Sequence, residues 1–348
     1  MLQVKSVFLF LRQNILSLLA VGYIVFLCIL ALFAESFVTD TSENSNQMHL
    51  AIHSKPPGFT VEVLQVFNQD YSMIDEISLS RTRWNAQVLE YQPYGMQGDY
   101  FKPIPLQLYP EGTTFDEVAT HYILKKKFWL GTDKYGRDVL SRIIIGSRIS
   151  LSIGFIAVFI ALLIGVFLGA IAGFYGGILD RIIYGLINII WSIPSLLVII
   201  GLTLALGKGY WQVFVAVGFT MWVDVARMVR GQVLSLKEKS HVHAARVLGF
   251  SSLRILIKHI LPRVVPALIV LSAANFASAI LIESGLSFLG IGAQPPTPSW
   301  GGMIKDHFRF IPLGKAYLAL IPGFAIMSLV LAFMVLGNAL RDALDVNM

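Results

Sequence analysis

Long apolar runs separated by polar stretches dominate this chain, and their lengths identify the segments that can cross a membrane. About 20 apolar residues suffice for a helix to cross the hydrocarbon core of a bilayer. Six runs are predicted to form transmembrane helices, at residues 15–34, 149–174, 182–206, 211–228, 264–282 and 317–336. The pattern therefore predicts an all-α membrane protein with one polar insert. The predicted domains are an N-terminal anchor, the insert and a transmembrane core, at residues 1–34, 35–130 and 131–348.

The polar insert has the pattern of a small β-rich domain. Residues 61–66 alternate between apolar and polar side chains, as a half-buried strand does. Several short strands are separated by proline-containing turns that end in Gly58, Gly95 and Gly112. Residues 112–127 have a more helical pattern, and the three lysines at their end are expected to form a solvated face.

Two features inside the predicted helices indicate how they pack and bend. Gly165, Gly169 and Gly173 form the small-xxx-small pattern that lets two membrane helices approach closely. Pro194 removes one backbone donor and permits a kink in its span. Such a kink would suit a helix that lines a pathway, and a purely structural kink is an equal alternative. We expect the spans to contain no acidic residue that could serve a proton relay.

A polar interruption at residues 240–262 is predicted to form two short helices. The spacing i, i+3, i+4, i+7 gives the first helix one shallow face that another protein could approach, formed by His241, Ala244, Ala245 and Leu248. Gly249 can adopt the left-handed conformation that ends a helix. Ser251 or Ser252 can begin the next helix, and Pro262 is expected to end it. The apolar stripe of that helix is formed by Leu253, Leu256, Ile257 and Ile260.

Four stretches of the chain carry a resemblance to a known family. The pattern of Ala244, Ala245, Gly249, His259 and Pro262 resembles the EAA loop of permease subunits of ABC importers. Three further stretches resemble signatures of the C-type permeases of dipeptide, oligopeptide and nickel importers, at residues 130–151, 283–301 and 337–345. The first contains Gly131, Thr132, Asp133, Gly136, Arg137, Asp138 and Arg142, and the second contains Gln294, Pro295, Pro296 and Trp300.

One residue departs from the family pattern. His243 stands where the family usually has a glutamate, which would complete a capping box with Ser240. A histidine retains only the serine half of that box. As a cation it would be unfavourable at the positive end of a helix. We therefore expect His243 to be neutral and to contact a partner protein directly.

The resemblance implies that the chain is the membrane-spanning half of an ATP-driven importer of peptides, with six transmembrane helices. Its implied partners are two ATP-binding cassette subunits, a second (B-type) permease, and an extracytoplasmic substrate-binding protein, with ATP hydrolysed by another chain docked on residues 240–262. ATP and Mg²⁺ would be bound by the ATPase subunits, so this chain is expected to hold no cofactor and no catalytic residue. We expect the insert to contact the binding protein or the partner permease.

Two readings of the outer signatures remain open. The charges of residues 131–142 could form a gate or a docking surface for the binding protein. They could equally form a capped helix start at the membrane edge. Residues 294–300 form a rigid, proline-rich loop with an interfacial tryptophan, which is expected to frame the outer mouth.

Composition and charge agree with a membrane protein. Hydrophobic residues make up 55% of the chain, and its mean hydropathy is +0.69. A net charge of +6 could indicate nucleic acid binding, but the basic residues flank the apolar spans, and orientation in a lipid bilayer explains them better. If the N-terminus is cytoplasmic, twelve lysines and arginines fall in the inside segments and four in the two short outside loops. We therefore expect both termini to be cytoplasmic, in the inner membrane of a bacterium.

The sequence also limits the chemistry. It contains no G-x-x-x-x-G-K-[ST] motif for phosphate binding. His241 and His243 fall on different faces of a helix, so no metal site is expected. Cys28 is the single cysteine, which excludes an intrachain disulfide. The alternatives left open are the same machinery importing nickel, an opine or a peptide antibiotic, a secondary transporter with ionisable residues at mid-membrane, and a membrane-anchored binding or signalling protein.

Overall fold

The computed structural model describes residues 14–67, 73–96, 98–207 and 209–345. The chain forms two compact units. The sheet unit consists of residues 33–145 and 306–321, and the helical unit consists of the remaining residues. The sheet unit extends beyond the predicted insert because the chain after residue 130 bonds to the segment before the sheet. The Ser54 N–H donates to the Asp133 carbonyl at 2.8 Å, and the Lys55 N–H donates to Thr132 Oγ1 at 2.9 Å.

The principal described helices are, in chain order, α1 (Ile15–Leu32), α2 (Val139–Tyr175), α3 (Gly177–Trp191), α4 (Ser195–Leu206), α5 (Tyr210–Lys237), α6 (Ser240–Val247), α7 (Ser252–Leu289), α8 (Trp300–His307) and α9 (Tyr317–Asp345). Within the described residues, five of them, α1, α2, α5, α7 and α9, are long and apolar enough to cross a membrane. The pair α3 and α4 passes the same test only when its two helices are taken together. The count is therefore five spans, or six if the pair is one span.

The third predicted span is a broken helix. Helices α3 and α4 meet at an angle of 91°. Ser192 is still helical, but Pro194 has an extended ψ of 121° and precedes the first residue of α4. A proline in the helix interior would leave a carbonyl without a donor and clash with the preceding turn. The kink expected at Pro194 is therefore present as a complete break.

The predicted glycine stripe lies at the contact between α2 and α5. A Cβ atom added to Gly165 would lie 2.5 Å from Cβ of Val225. One added to Gly173 would lie 2.9 Å from the carbonyl oxygen of Arg230. These distances are shorter than any ordinary contact of a Cβ atom, so the glycines are what allow the two helices to pack this closely.

Replacing Gly169 by alanine is expected to destabilise the protein. The added Cβ would lie 2.5 Å from the carbonyl oxygen of Ala226 and 2.9 Å from Cβ of Val229. The helices would have to move apart, and overpacking of this kind costs about 1–3 kcal/mol. Gly185→Ala in α3 is the matched control, since no described atom lies within 4 Å of its added Cβ. Thermal unfolding of the purified chain in detergent would measure both, and equal midpoints would contradict the close packing.

The sheet unit contains five antiparallel strands, β1 (Phe59–Phe67), β2 (Met73–Asn85), β3 (Val88–Pro93), β4 (Lys102–Pro103) and β5 (Ile123–Phe128), in the order β4-β3-β2-β1-β5. The alternation predicted for residues 61–66 is present in β1. Val61 and Val63 pack against Ile52 on one face of the sheet, and Leu64 packs in a separate apolar cluster. Gly58, Gly95 and Gly112 all have positive φ, as the predicted turns require.

The helical pattern expected for residues 112–127 is wrong from residue 123 onwards. A short helix, Phe115–Glu117, and a π-helical turn, Val118–Tyr122, are followed by strand β5. This strand pairs with β1 along its whole length, so a pairing distant in sequence decides its conformation. The lysines at its end are divided by the pleat: Lys125 and Lys127 are exposed, whereas Lys126 is partly buried.

Candidate functional site

The predicted coupling loop, residues 240–262, begins with helix α6 and a complete left-handed stop. Gly249 has a φ of +78°. Its N–H donates to the Arg246 carbonyl at 2.9 Å, and the Phe250 N–H donates to the Ala245 carbonyl at 3.1 Å. These two bonds form a Schellman motif, which satisfies carbonyls at the end of a helix. The stop predicted at Gly249 is present as predicted.

The exposed face of α6 differs from the predicted one. Ala245 is buried beside Val242 in the core of the helical unit, so it offers nothing to a partner. Ala244 is exposed, and Val247 and Leu248 are 89% and 72% exposed. The exposed face therefore combines His243 and Val247 with Ala244 and Leu248. Spacing alone did not show which side of the helix the core would cover.

The cap of α6 also differs from the expected one. Lys239 occupies the N-cap position, and no side chain caps this helix end. The two N–H groups of Val242 and His243 donate to the Lys239 carbonyl instead, at 2.9 and 3.3 Å. Ser240 lies one residue too far along the chain to act as the cap. A glutamate at position 243 would therefore not form the expected capping box with Ser240, and the histidine at this position costs no such bond.

The three histidines of the loop make separate contacts. His241 Nδ1 lies 3.4 Å from Nη1 of Arg263. Desolvation, then the nearby cation of Arg263, lowers the pKa of His241 below its usual value. His243 Nε2 lies 3.8 Å from Glu238, between exposed side chains. His259 stacks on the ring of Phe250, with the ring centroids 5.8 Å apart.

Pro262 does not end the second helix of the loop, contrary to expectation. A π-helical turn, Leu256–Ile260, leads directly into the section Leu261–Leu289, and the whole of α7 is continuous. Pro262 is the second residue of that section and directly follows the π-helical turn, so the helix accommodates the proline at a place where its hydrogen-bond pattern changes. The predicted apolar stripe is divided: Leu256 and Ile260 are buried, and the other two side chains are exposed.

The first signature forms a buried ion pair in the sheet unit. Arg137 Nε donates to Asp133 Oδ2 at 2.6 Å, and Asp133 Oδ1 accepts from the backbone N–H groups of Tyr135 and Arg137 at 2.8 and 3.0 Å. Arg142 Nε lies 3.9 Å from the same carboxylate. Asp133 is fully buried, and the two arginine side chains are 4% and 6% exposed. One carboxylate therefore faces two buried guanidinium groups.

The segment before the sheet covers this ion pair. Asn46 Oδ1 accepts from Arg137 at 2.8 Å and from Arg142 at 3.4 Å. The Thr39 hydroxyl donates to Asp138 Oδ2 at 2.7 Å. Asp138 also caps α2 by accepting from the Ser141 N–H at 3.1 Å. The signature is thus a buried, capped helix start. Its charged side chains do not form an exposed docking surface.

The signature glycines permit the same close contact. Gly131 and Gly136 both have positive φ. Added Cβ atoms would overlap the backbone of Lys55 and Pro56 at the first glycine and that of His49 at the second. Thr132 is fully buried, and its hydroxyl donates to the Ile52 carbonyl at 2.5 Å. The glycine spacing therefore lets two chain segments lie against each other.

Acidification is expected to destabilise the sheet unit through His49. The buried Nε2 of this residue lies 3.5 Å from Glu76, whose carboxylate accepts from Lys126 at 2.7 Å. Burial, then the Lys126 charge, lowers the pKa of His49 below 6.5. The unfolded chain therefore binds a proton more readily, so stability is complete above about pH 6.5 and falls as the pH drops below it.

The measurement is thermal unfolding of the purified chain between pH 7.5 and pH 5. The unfolding midpoint of wild type should fall more steeply with acidification than that of His49→Gln. His53→Gln removes an exposed histidine nearby and should behave as wild type does. A His49→Gln variant with the full pH dependence of wild type would contradict the assignment.

The second signature forms a packed turn in the helical unit. Gln294 Nε2 donates to the Gly290 and Gly292 carbonyls at 3.2 and 2.8 Å, while Pro295 and Pro296 are exposed. Trp300 is 1% exposed, so the expectation of an interfacial aromatic is wrong. A Cβ on Gly146 would lie 3.1 Å from its ring, which shows that a glycine accommodates the indole.

One acidic residue inside a predicted span contradicts the expectation of spans without them, and a second lies directly beside another predicted span. Asp224 lies within the predicted span 211–228 and is exposed. Glu283 lies in α7 directly after the predicted span 264–282 and is 1% exposed. Its Oε1 accepts from the Ser287 hydroxyl at 2.6 Å. The signal for both residues was available in the sequence, as an acidic residue within or beside an apolar run.

Comparison with known proteins agrees with this architecture. The family model described as "Binding-protein-dependent transport system inner membrane component" matches residues 165–348. The relative named "Glutathione transport system permease protein GsiD", from Escherichia coli O6:K15:H31 (strain 536 / UPEC), is 41% identical over 217 residues, which are 62% of this chain and 71% of that protein. The protein of the same name from Shigella dysenteriae serotype 1 (strain Sd197) is 42% identical over the same shares.

Among solved structures, the inward-facing MetNI methionine ABC transporter aligns with a TM-score of 0.48 and 20% identity, over 58% of this chain and 95% of that chain.

The fold and the family match define the class: this is a multi-pass permease subunit of a bacterial ABC importer. The chain belongs to the family of binding-protein-dependent transport system inner membrane components. The predicted resemblance, fold class and transport function are thereby confirmed. A secondary transporter and a membrane-anchored signalling protein are both excluded by this membership. ATPase subunits and a substrate-binding protein are its partners as a member of this class.

Proposed function

We propose that this permease imports small peptides, delivered by a binding protein and driven by ATP hydrolysis on partner subunits. The observation that carries this proposal is the identity of 41% to permeases named for glutathione transport. Glutathione is itself a tripeptide. The chain would form half of the translocation pathway, and a second, B-type permease would supply the other half.

The coupling loop is the proposed docking site for an ATP-binding cassette subunit. Val247 and Leu248 expose most of their apolar surface at the end of α6, where exposed apolar groups favour a protein partner. The contacts of Phe250 with His259 and with the guanidinium of Arg254, whose carbon lies 4.3 Å from the Phe250 ring, hold the turn after Gly249 in place. ATP and Mg²⁺ would be bound by the partners alone.

The orientation that we propose places the coupling loop and both termini in the cytoplasm. Basic residues of the described inside segments outnumber those of the described outside loops, as the positive-inside rule requires. Three counted residues, Lys5, Arg12 and Lys208, lie outside the described part of the chain. The sheet unit would then be extracytoplasmic, where it could meet the loaded binding protein.

Uptake by the complete transporter in proteoliposomes tests the proposal. The permease is reconstituted with its partner permease, ATPases and binding protein, and uptake of radiolabelled glutathione and of the dipeptide Ala-Ala is measured with and without ATP. We expect ATP-dependent uptake of at least one of the two. Uptake of Ni²⁺ with no uptake of either peptide would contradict a peptide importer.

A further inference from the structure

Asp224 presents an exposed carboxylate within a membrane helix. It lies in α5, where its chain neighbours Val223 and Val225 are both buried. In the described parts of the chain, no donor or basic group lies within bonding distance of this carboxylate. Arg227 lies one turn further along, but its guanidinium stacks on the ring of Trp191, at 3.7 Å from the ring centroid.

A carboxylate at this position is unfavourable in a lipid environment. An acidic side chain costs roughly 2.5–3.5 kcal/mol on insertion scales at the centre of a membrane helix and less towards its ends, and Asp224 lies four residues from the end of the predicted span 211–228. Such residues therefore face a water-filled cavity, a ligand or another protein chain.

Asp224 lines a cavity of about 170 Å³ in the helical unit. The other polar side chains around it are Ser195 and Thr220, and Trp191 forms part of its wall. Thr220 donates its hydroxyl proton to the Ala216 carbonyl at 2.8 Å, so its oxygen can act only as an acceptor towards the cavity. The cavity has room for about six waters at roughly 30 Å³ each, which is enough for one polar group of a ligand whose remainder lies outside it.

The break between α3 and α4 borders the same cavity. Ile190 and Trp191 at the end of α3, and Ile193 and Ser195 at the start of α4, are all lining residues. Non-helical backbone within a membrane is tolerated only where it is buried in protein or lines a cavity. Broken helices in transporters are found where ligands bind. The break is independent of the carboxylate, and both point to the same place.

The chemistry of the cavity favours a cation with several N–H donors. The Asp224 carboxylate and the Thr220 hydroxyl, whose proton is already engaged, are acceptors, and the Ser195 hydroxyl can also accept. A divalent metal ion would need about six oxygen ligands or more. Within the described residues, no group of three or more acidic, histidine or cysteine side chains could hold a metal. An ammonium group carries three donors and one charge, and it requires only such a small set of acceptors.

We propose that Asp224 binds the α-ammonium group of the cargo during translocation. This inference rests on the proposed function, because peptides carry an ammonium group with a pKa of about 8. The carboxylate would select for a free N-terminus inside the pathway, in addition to any selection by the binding protein. The open cavity lets the group leave again, as transport requires.

The test compares Asp224→Asn, which removes the charge and keeps the shape, with Asp224→Glu, which keeps the charge. Uptake of glutathione and Ala-Ala is measured in proteoliposomes that contain the complete transporter, at pH 7 and pH 9. We expect Asp224→Asn to lower uptake at pH 7 by roughly tenfold or more, as expected for loss of a hydrogen bond to a charged group. Asp224→Glu should retain most of the uptake.

The pH dependence provides a readout that a purely structural role would not change. Wild-type uptake of Ala-Ala should fall between pH 7 and pH 9 as its ammonium group loses its proton, and Asp224→Asn should lose that part of the fall. The same binding protein is used throughout. Any effect of pH on its binding of the peptide therefore cancels when the uptake by the variant is divided by the uptake by wild type.

Equal uptake by wild type and Asp224→Asn would overturn the inference and leave the proposed function intact. Failure of Asp224→Asn to co-purify with the partner permease would also overturn it, because the carboxylate would then pair with that protein. If wild type takes up neither peptide, the proposed function is wrong, and the assignment of an ammonium ligand is wrong with it.

Discussion

Asp133→Asn is expected to unfold the sheet unit under conditions in which wild type is intact. In the wild-type protein, Arg137 lies 2.6 Å and Arg142 lies 3.9 Å from the Asp133 carboxylate. The substitution leaves both arginines buried opposite a neutral amide. Removing one partner of a buried ion pair costs about 3–5 kcal/mol, because the remaining charge has no compensation. A domain with a stability of only about 5–15 kcal/mol has little reserve against such a loss.

Asp306→Asn is the matched control in the same unit. Asp306 pairs with Lys134 at 3.0 Å, but the two side chains are 33% and 24% exposed. Partly exposed ion pairs contribute about 0–1 kcal/mol. Limited trypsin digestion of the purified chain, followed by mass spectrometry of cleavages in residues 33–145, compares the variants. Equal protection of Asp133→Asn and Asp306→Asn would contradict the importance of the buried pair.

A double variant separates the lost ion pair from other effects of the substitution. Asp133→Asn combined with Arg137→Met removes one of the two uncompensated charges, so it should be more protected than Asp133→Asn alone. Buried ion pairs replaced by apolar side chains are often neutral or even stabilising. If the double variant is no better protected than Asp133→Asn, the hydrogen bonds that Asp133 accepts from the Tyr135 and Arg137 N–H groups contribute more to stability than the ion pair does.

Features set by local sequence were predictable in this protein. Apolar runs of sufficient length indicated the spans, because a bilayer requires helices of a fixed minimum length. Alternation indicated β1, and Gly249 indicated the end of α6, because the left-handed conformation strongly favours glycine. The glycine stripe likewise indicated the close contact on α2. Each signal lies within a few residues of the structure that it specifies.

Features set by distant contacts were not predictable from these patterns. The pattern of residues 112–127 did not indicate strand β5, because its pairing with β1 joins residues about sixty to seventy positions apart. The buried state of Ala245 depends on the core beneath α6, and that of Trp300 depends on a glycine in α2. Asp224 is different, because its signal was local and visible. An acidic residue in an apolar run is itself a reason to expect a functional site.

Gly249→Val is expected to leave the permease inserted and folded but to weaken its coupling to the ATPases. Gly249 has a φ of +78°, and no described atom lies within 4 Å of an added Cβ. A clash with a neighbour therefore does not explain any effect. This left-handed backbone conformation is about 1–2 kcal/mol less favourable for a β-branched residue than for glycine. The turn after α6 would shift, and with it the exposed side chains of Val247 and Leu248.

Gly249→Asn is the matched control, because asparagine tolerates the left-handed conformation better than valine does. The measurement is co-purification of the ATPase subunits with each variant, together with uptake of glutathione and Ala-Ala in proteoliposomes. We expect Gly249→Val to lose several-fold in both and Gly249→Asn to stay near wild type. Both side chains would enter the same open space, so a difference between the two variants would result from the backbone conformation. Normal co-purification and uptake by Gly249→Val would show that the Schellman turn is not needed for coupling.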